Sequence, residues 1–189
     1  AQLAGFAKVN LGETDAFQFS GFTNINKKYT RGASLAGFAN LVNDSATAFQ
    51  FAGFTNVVNG TCKGAQIAGF ANVNSNYSQG LQFAGFTNVV SDSSAVSQIA
   101  GFANVVNGNE KGFQLAGFAN VVKGDLTGAQ VSGFVNVAKD VKGLQLGVFN
   151  VCDSVSKGIP FGFFSWVNKG YRVLEVGSDE SLYAQVSFK

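Results

Sequence analysis

The chain has 189 residues with 13 Lys and Arg, 11 Asp and Glu and no histidine, so its formal net charge is only +2. The missing histidine excludes imidazole catalysis and His-containing metal sites, and the thinly spread charge leaves no basic stripe for nucleic acid. No run of 18 apolar residues occurs, which excludes a transmembrane helix, and the length suits one ordinary domain.

A repeat begins at once. Glutamine stands at Gln2, Gln18, Gln50, Gln66, Gln82, Gln98, Gln114 and Gln130, with Ser34 in the one gap, in steps of 16 residues. A glycine (Gly5 to Gly133) and a phenylalanine (Phe6 to Phe134) follow at fixed offsets. An asparagine closes the motif at Asn24, Asn40, Asn56, Asn72, Asn88, Asn104, Asn120 and Asn136, with Lys8 as its exception. A short fixed period marks a repeat architecture. Units rich in Phe, Val and Ile, split by Gly and Asn, are too short for two helices and a turn. The spacing therefore predicts an all-β fold: a single-stack β-solenoid of about ten to eleven coils of 15–16 residues, with a C-terminal β-hairpin cap.

Side chains alternate along a strand, so Gln and the residue after it should face opposite ways. The residue after Gln is apolar (Leu3, Phe19, Leu35, Phe51, Ile67, Phe83, Ile99, Leu115, Val131) and is expected inward, with Gln forming an outward amide ladder. Strict alternation would then leave the repeated Phe in water. Reading each Ala-Gly pair as a β-bulge turns that Phe inward and makes a core ladder of Phe22, Phe38, Phe54, Phe70, Phe86, Phe102, Phe118 and Phe134. Burying each such ring is worth about 1.5–3 kcal/mol. The Val or Ile after Asn (Ile25, Val57, Val89, Val121) and the residue before Gln complete four core columns. That last column alternates large and small, Phe17, Ala33, Phe49, Ala65, Leu81, Ser97, Phe113, Ala129, as interdigitation in a dense interior requires.

The asparagines, continued by Asn150, are expected at a corner, hydrogen-bonded from coil to coil as a structural ladder. Opposite them, Ala52, Ala68, Ala84, Ala100 and Ala116 with Thr23, Thr55 and Thr87 are expected to form a flat, weakly polar contact face. Thr occurs there only on alternate coils, which weakens an ice-binding reading. Charges collect in the variable half of each unit, and Gly commonly ends that segment, at Gly32, Gly64, Gly80, Gly112, Gly128, Gly143 and Gly158; this reads as a solvated, turn-rich edge.

No catalytic, cofactor-binding or metal-ligating set emerges. There is no phosphate loop and no nucleophile elbow, and the 11 acidic residues are scattered, with Asp179-Glu180 as the one adjacent pair, in a predicted turn. Cys62 and Cys152 sit about six coils, or about 29 Å, apart, beyond disulfide reach, and are expected to be small packing residues. The chain therefore reads as a non-enzyme without cofactor, nucleic-acid partner or small-molecule substrate.

At Gln145 the unit shortens: Gln145-Leu146-Gly147-Val148-Phe149-Asn150 has five steps from Gln to Asn in place of six. The lost residue comes from the Ala-Gly pair, so Val148 should take the place of Phe and the bulge should vanish. Beyond it, outward-reading Phe149, Phe164 and Trp166 predict that the last coils are covered. Tyr171 to Val176 and Ser181 to Phe188 alternate like strands around Gly177-Ser178-Asp179-Glu180, a hairpin expected to close the stack. The division expected is 1–158 as solenoid and 159–189 as last coil plus cap. No methionine is present and Ala1 opens directly on a repeat, so more protein or a cover is expected upstream of it.

The unit Gly143-Leu144-Gln145-Leu146-Gly147-Val148-Phe149-Asn150 resembles the Gly-x-Gln-x-Gly-x-x-Asn repeats of surface repeat proteins in Bacteroidota and Leptospira. Gly158-Ile159-Pro160-Phe161-Gly162, Lys169-Gly170-Tyr171 and Leu174-Glu175-Val176 resemble the Bacteroidota form, in which the repeats are typically exported and followed by an outer-membrane β-barrel. The Gln-x-Gly-x-x-Asn spacing is also similar to that of curli-type amyloid subunits, whose repeats are longer and lack the Phe column. The resemblance implies an exported scaffold or docking module at the cell surface or outer membrane of a Gram-negative-type bacterium, with a protein partner there. The alternative is a fibre subunit that self-assembles through coil ends or its flat face, and the third reading is an ice-binding solenoid.

Overall fold

The computed structural model describes residues 1–169 and the backbone of 174–178 and 184–188. Each 16-residue unit is one coil. In the coil around Gln50, a seven-residue strand Ala46–Ala52 is followed by a bend at Gly53 and Phe54, a four-residue strand Thr55–Val58, and a second bend over 59–61. Up to Gln130 the strands pair in parallel with their counterparts in the neighbouring coils, in 16-residue register: Gln66 lies beside Gln50 and Gln82, and Asn72 beside Asn56 and Asn88. The result is the expected β-solenoid, two parallel walls facing each other across a narrow interior.

The walls face the other way from the sequence expectation. Ala46, Ala48, Gln50, Ala52, Asn56 and Val58 are buried, whereas Phe49, Phe51 and Phe54 are more than 40% exposed. The Phe ladder Phe22, Phe38, Phe54, Phe70, Phe86, Phe102, Phe118 and Phe134 is therefore an outer ladder, not a core, with every ring 40–43% exposed. The Gln column is interior, and Val57 and Val89 are half-buried on the outer wall. No bulge stands at Ala-Gly. The chain turns a corner there, so alternation restarts on the far wall without carrying Phe inside.

Two physical reasons decide this. Walls about 10 Å apart enclose room for a few small or slender side chains per coil, not three phenyl rings. A buried amide costs little once its hydrogen bonds are made, and a repeat stacked in register makes them from coil to coil. The glycine column follows from the corner too: a Cβ at Gly21, Gly37, Gly53, Gly69, Gly85, Gly101, Gly117 or Gly133 would lie 2.1–2.2 Å from the carbonyl oxygen of the corner glycine one coil earlier. Gly32, Gly64, Gly80, Gly128 and Gly143, expected at turns, instead lie inside long strands with φ between +103° and +149°.

The interior is divided. Toward the Gly-Phe corner it is amide: Gln and Asn. Toward the other bend it is apolar on some coils, with Val42, Ala46, Ala48, Val58 and Cys62 in one cluster and Val90, Val106, Val122, Leu126, Ala138, Val141 and Cys152 in another. On others it is polar, where Asn26, Thr30, Asn74, Ser78, Ser94 and Glu110 are buried. Both cysteines are buried free thiols, as their spacing predicts.

The short coil behaves as expected in part. Gln145 and Asn150 stay buried and in register with Gln130 and Asn136, so the residue is lost from the corner between them. Gly147 takes the alanine's place, Val148 takes that of Phe at the bend, but both it and the Phe it replaces lie outside, at 38% exposure for Val148. The ladder's irregularity falls elsewhere, between Val141 and Lys142, opposite Val155 and Lys157. Phe164 and Trp166 are 39% and 51% exposed. Leu174–Ser178 and Ala184–Phe188 pair antiparallel, so a C-terminal strand pair exists, but its first strand includes Gly177 and Ser178, two of the residues expected in the turn. Asp179-Glu180 and the hairpin's side chains lie outside the described residues.

Candidate interaction surface

The asparagines form a coil-to-coil ladder, but from the second residue of each short strand, just past the corner and not at it. From Asn24 to Asn136 each Nδ2 donates to the Oδ1 of the Asn one coil later, at 2.9–3.0 Å, and Asn150 is the last acceptor. The same nitrogen donates to a backbone carbonyl on the long strand of that next coil: Asn56 to Ile67 and Asn88 to Ile99, both at 2.9 Å. Each Asn thus straps one wall to the other. Only a short amide can serve both partners from inside the corner, which is the physical content of its recurrence.

The glutamine ladder runs the opposite way. Gln66 donates to Gln50 at 2.7 Å, Gln82 to Gln66 at 2.9 Å, and the series continues back from Gln98, Gln114, Gln130 and Gln145. The two columns of amide dipoles therefore oppose each other along the axis. Ser34 breaks the chain: its hydroxyl donates to Gln18, and the Gln50 Nε2 above it is buried with no partner.

The predicted contact face is not a face. Ala52, Ala68, Ala84, Ala100 and Ala116 are buried at 5% exposure or less, because they precede the corner glycine on the inward side. Thr23, Thr55 and Thr87 are half-buried on the outer wall, but the hydroxyls of Thr55 and Thr87 donate to the carbonyls of Ala71 and Ala103 at 2.9 Å. They are hydrogen-bonded within the stack and offer no free hydroxyl array.

The surface that the coils do present is apolar. On the outer side of the long strands, the residues before and after Gln form two columns, with Phe17, Phe19, Phe49, Phe51, Leu81, Phe83, Phe113 and Leu115 each 37–46% exposed. Around the corner runs the Phe ladder, in which rings from Phe6 to Phe134 stack at centroid distances of 4.8–5.1 Å with interplanar angles of 1–16°. The stack ends where the corner shortens: Phe134 meets Phe149 edge-on at 69°. Sequence reasoning found these columns and their alternation but put them inside.

Little chemistry accompanies this surface. Among the described residues no group of three or more His, Cys, Asp or Glu converges on a metal position, and no helix is long and apolar enough to cross a membrane. Among the described residues two shallow depressions occur, one lined by Leu146, Val148, Phe161 and Phe163, the other by Lys123, Lys139, Cys152 and Asp153. Glu110 is the unexpected group. It is fully buried where other coils carry Ser94 or Leu126, hydrogen-bonded to the Ser94 hydroxyl, and burial pushes its carboxyl up to about 8. Burial likewise raises the Cys62 thiol to about 12 and Cys152 to about 11, which makes both inert as nucleophiles at neutral pH.

Fold and surface together define a class: a parallel β-solenoid with an amide-laddered interior and an aromatic exterior. No family model, curated protein or solved structure matches the chain.

Proposed function

We propose that this chain is a non-enzymatic structural repeat module, exported to the bacterial cell surface or outer membrane, that docks a protein partner through its outer apolar face. One observation carries the docking part. A soluble fold would ordinarily bury its phenylalanines, yet here two strand columns and a corner ladder hold them outward across successive coils, a continuous patch far larger than scattered surface apolar residues. The parallel ladder beneath holds the columns of that patch in register from coil to coil. The location rests on the resemblance of the Gln145 and Pro160 units to exported repeats.

Protease shaving of intact cells that express the natural precursor tests it. Loss of the solenoid from intact cells, with an internal marker spared, is the expected result. A chain protected until lysis and recovered in the cytosolic fraction overturns the surface reading. Ice binding is disfavoured by the hydrogen-bonded Thr55 and Thr87 hydroxyls, and thermal hysteresis above background would reinstate it.

A further inference from the structure

The long-strand face has a property that a solvent-facing wall does not need. Its two columns alternate bulk from coil to coil. Before Gln, Phe17, Phe49, Leu81 and Phe113 alternate with Ala33, Ala65, Ser97 and Ala129. After Gln, Phe19, Phe51 and Phe83 alternate with smaller aliphatic residues such as Ile67 and Ile99. Both columns swell on the coils of Gln18, Gln50 and Gln82, and Phe113 continues the first column on the coil of Gln114 beside Leu115, so the face is ridged, with one ridge every two coils, or about 9.6 Å. The small residues are half-buried between the large ones. Inside a core such a pattern fills space; on an outer wall it requires an opposing surface with the same period, offset by one coil. This chain supplies one.

We propose that the occupant is a second copy of this chain, packed face to face with its axis antiparallel. The two-fold axis runs along the strands, between the coils of Gln66 and Gln82. That operation keeps each column opposite itself and reverses coil order. Phe17 then faces Ala129 of the other copy, Phe49 faces Ser97, and Leu81 faces Ala65; each contact occurs twice, as an isologous interface demands. After Gln, Phe19 meets Val131 and Phe51 meets Ile99. Eight coils engage and every ridge enters a furrow. A two-fold parallel to the axis would instead set each coil against itself, ridge on ridge, and leave gaps between.

Size and rim agree with this pairing. Eight coils at about 4.8 Å and three outward residues per strand cover about 38 by 20 Å, on the order of 800 Å² per copy, the area of a standard stable interface. Lys63, Gln79 and their counterparts border the apolar columns as a polar rim. Arg31 would meet the Lys111 of the other copy there, and Asp15, 3.5 Å from Arg31, offsets that repulsion. Thus the inference deepens the docking reading above, on which it rests, by naming the partner and the register.

Sedimentation equilibrium of the 189-residue chain tests it with Ala129→Phe, Phe17→Ala and the double substitution. The unaltered chain should form a dimer. Ala129→Phe sets ring against ring at two places and should raise the dissociation constant at least about tenfold, while adding Phe17→Ala to it should restore most of the affinity. Residues 17 and 129 lie seven coils apart within one chain, so rescue can arise only between copies. Both positions are on the outer wall, and unchanged circular dichroism and melting of each variant confirm the fold. A chain that stays monomeric at about 100 μM overturns the pairing and leaves the face to another protein. So does an open-ended polymer, or a dimer indifferent to Ala129→Phe, or one that Phe17→Ala does not rescue. Cell-surface exposure is measured separately, so the location can stand or fall without it.

Discussion

The asparagine ladder and the phenylalanine ladder have the same period, stand only two residues apart in sequence, and part at the corner, the asparagines inside the stack and the phenylalanines outside it. Asn88 is fully buried and donates to Asn104 and to the Ile99 carbonyl, while Phe86 is 41% exposed and touches mainly its own repeats, Phe70 and Phe102, at 5.0 and 4.9 Å. Hydrophobicity alone would exchange them. What places them is the chance to repeat: an amide stacked on identical amides satisfies its donors and acceptors in a dry interior, and a ring stacked on identical rings covers much of its surface without one. Period, more than polarity, determines which residue this fold can bury.

The comparison can be broken most severely from the inside. Asn88→Leu removes the bonds from Asn72 and to Asn104 and strands the Ile99 carbonyl, leaving two or three buried polar groups unpaired. It should cost about 4 to 6 kcal/mol, read as a drop in the urea midpoint. Glu110→Gln comes next, and its effect depends on pH. The folded chain holds the Glu110 proton up to about 8, whereas an unfolded Glu releases it near its ordinary value, so stability falls as pH rises between those two values and stays low above the upper one. Glu110→Gln should therefore raise stability at pH 9 by on the order of 2 to 4 kcal/mol and change little near pH 4, and a melting series across that range checks it. On the outer side, Phe86→Ala should cost only about 1 to 2 kcal/mol, because the ring is partly exposed already; a cost equal to that of Asn88→Leu would mean the ring is core. Smallest is a gain. Ser34→Gln completes the glutamine ladder and gives Gln50 Nε2 its missing partner, worth about 1 kcal/mol in the same urea titration.

Legibility divides along the same line. The period, the parallel register, the coil count and the asparagine ladder were readable, because identical residues at 16-residue steps can meet only if coils stack in register. The shortened corner at Gln145–Asn150 was readable for the same reason. Orientation was not. Alternation assigns Gln50 and Phe51 to opposite faces but does not say which is inside, and the usual rule, apolar inward, chose wrongly for Phe51, Phe54 and Ala52 alike. A signal was present in the alternation itself. Putting Phe51 inside together with Phe54 required a bulge in every coil, whereas with Gln50 inside, Ala52, Asn56 and Val58 fall on the same side with none, and only the corner at Gly53 and Phe54 takes Phe54 out of that series. Glu110 could not be foreseen, since its charge resembles the exposed charges around it and only its strand position buries it.

The sequence by itself thus determined a stack: the repeat length and the partners each residue meets above and below. Only the tertiary structure decided what the stack encloses. The two walls close on a gap about 10 Å wide, and within that width a row of hydrogen-bonded amides and small aliphatic groups fits where paired columns of phenyl rings do not.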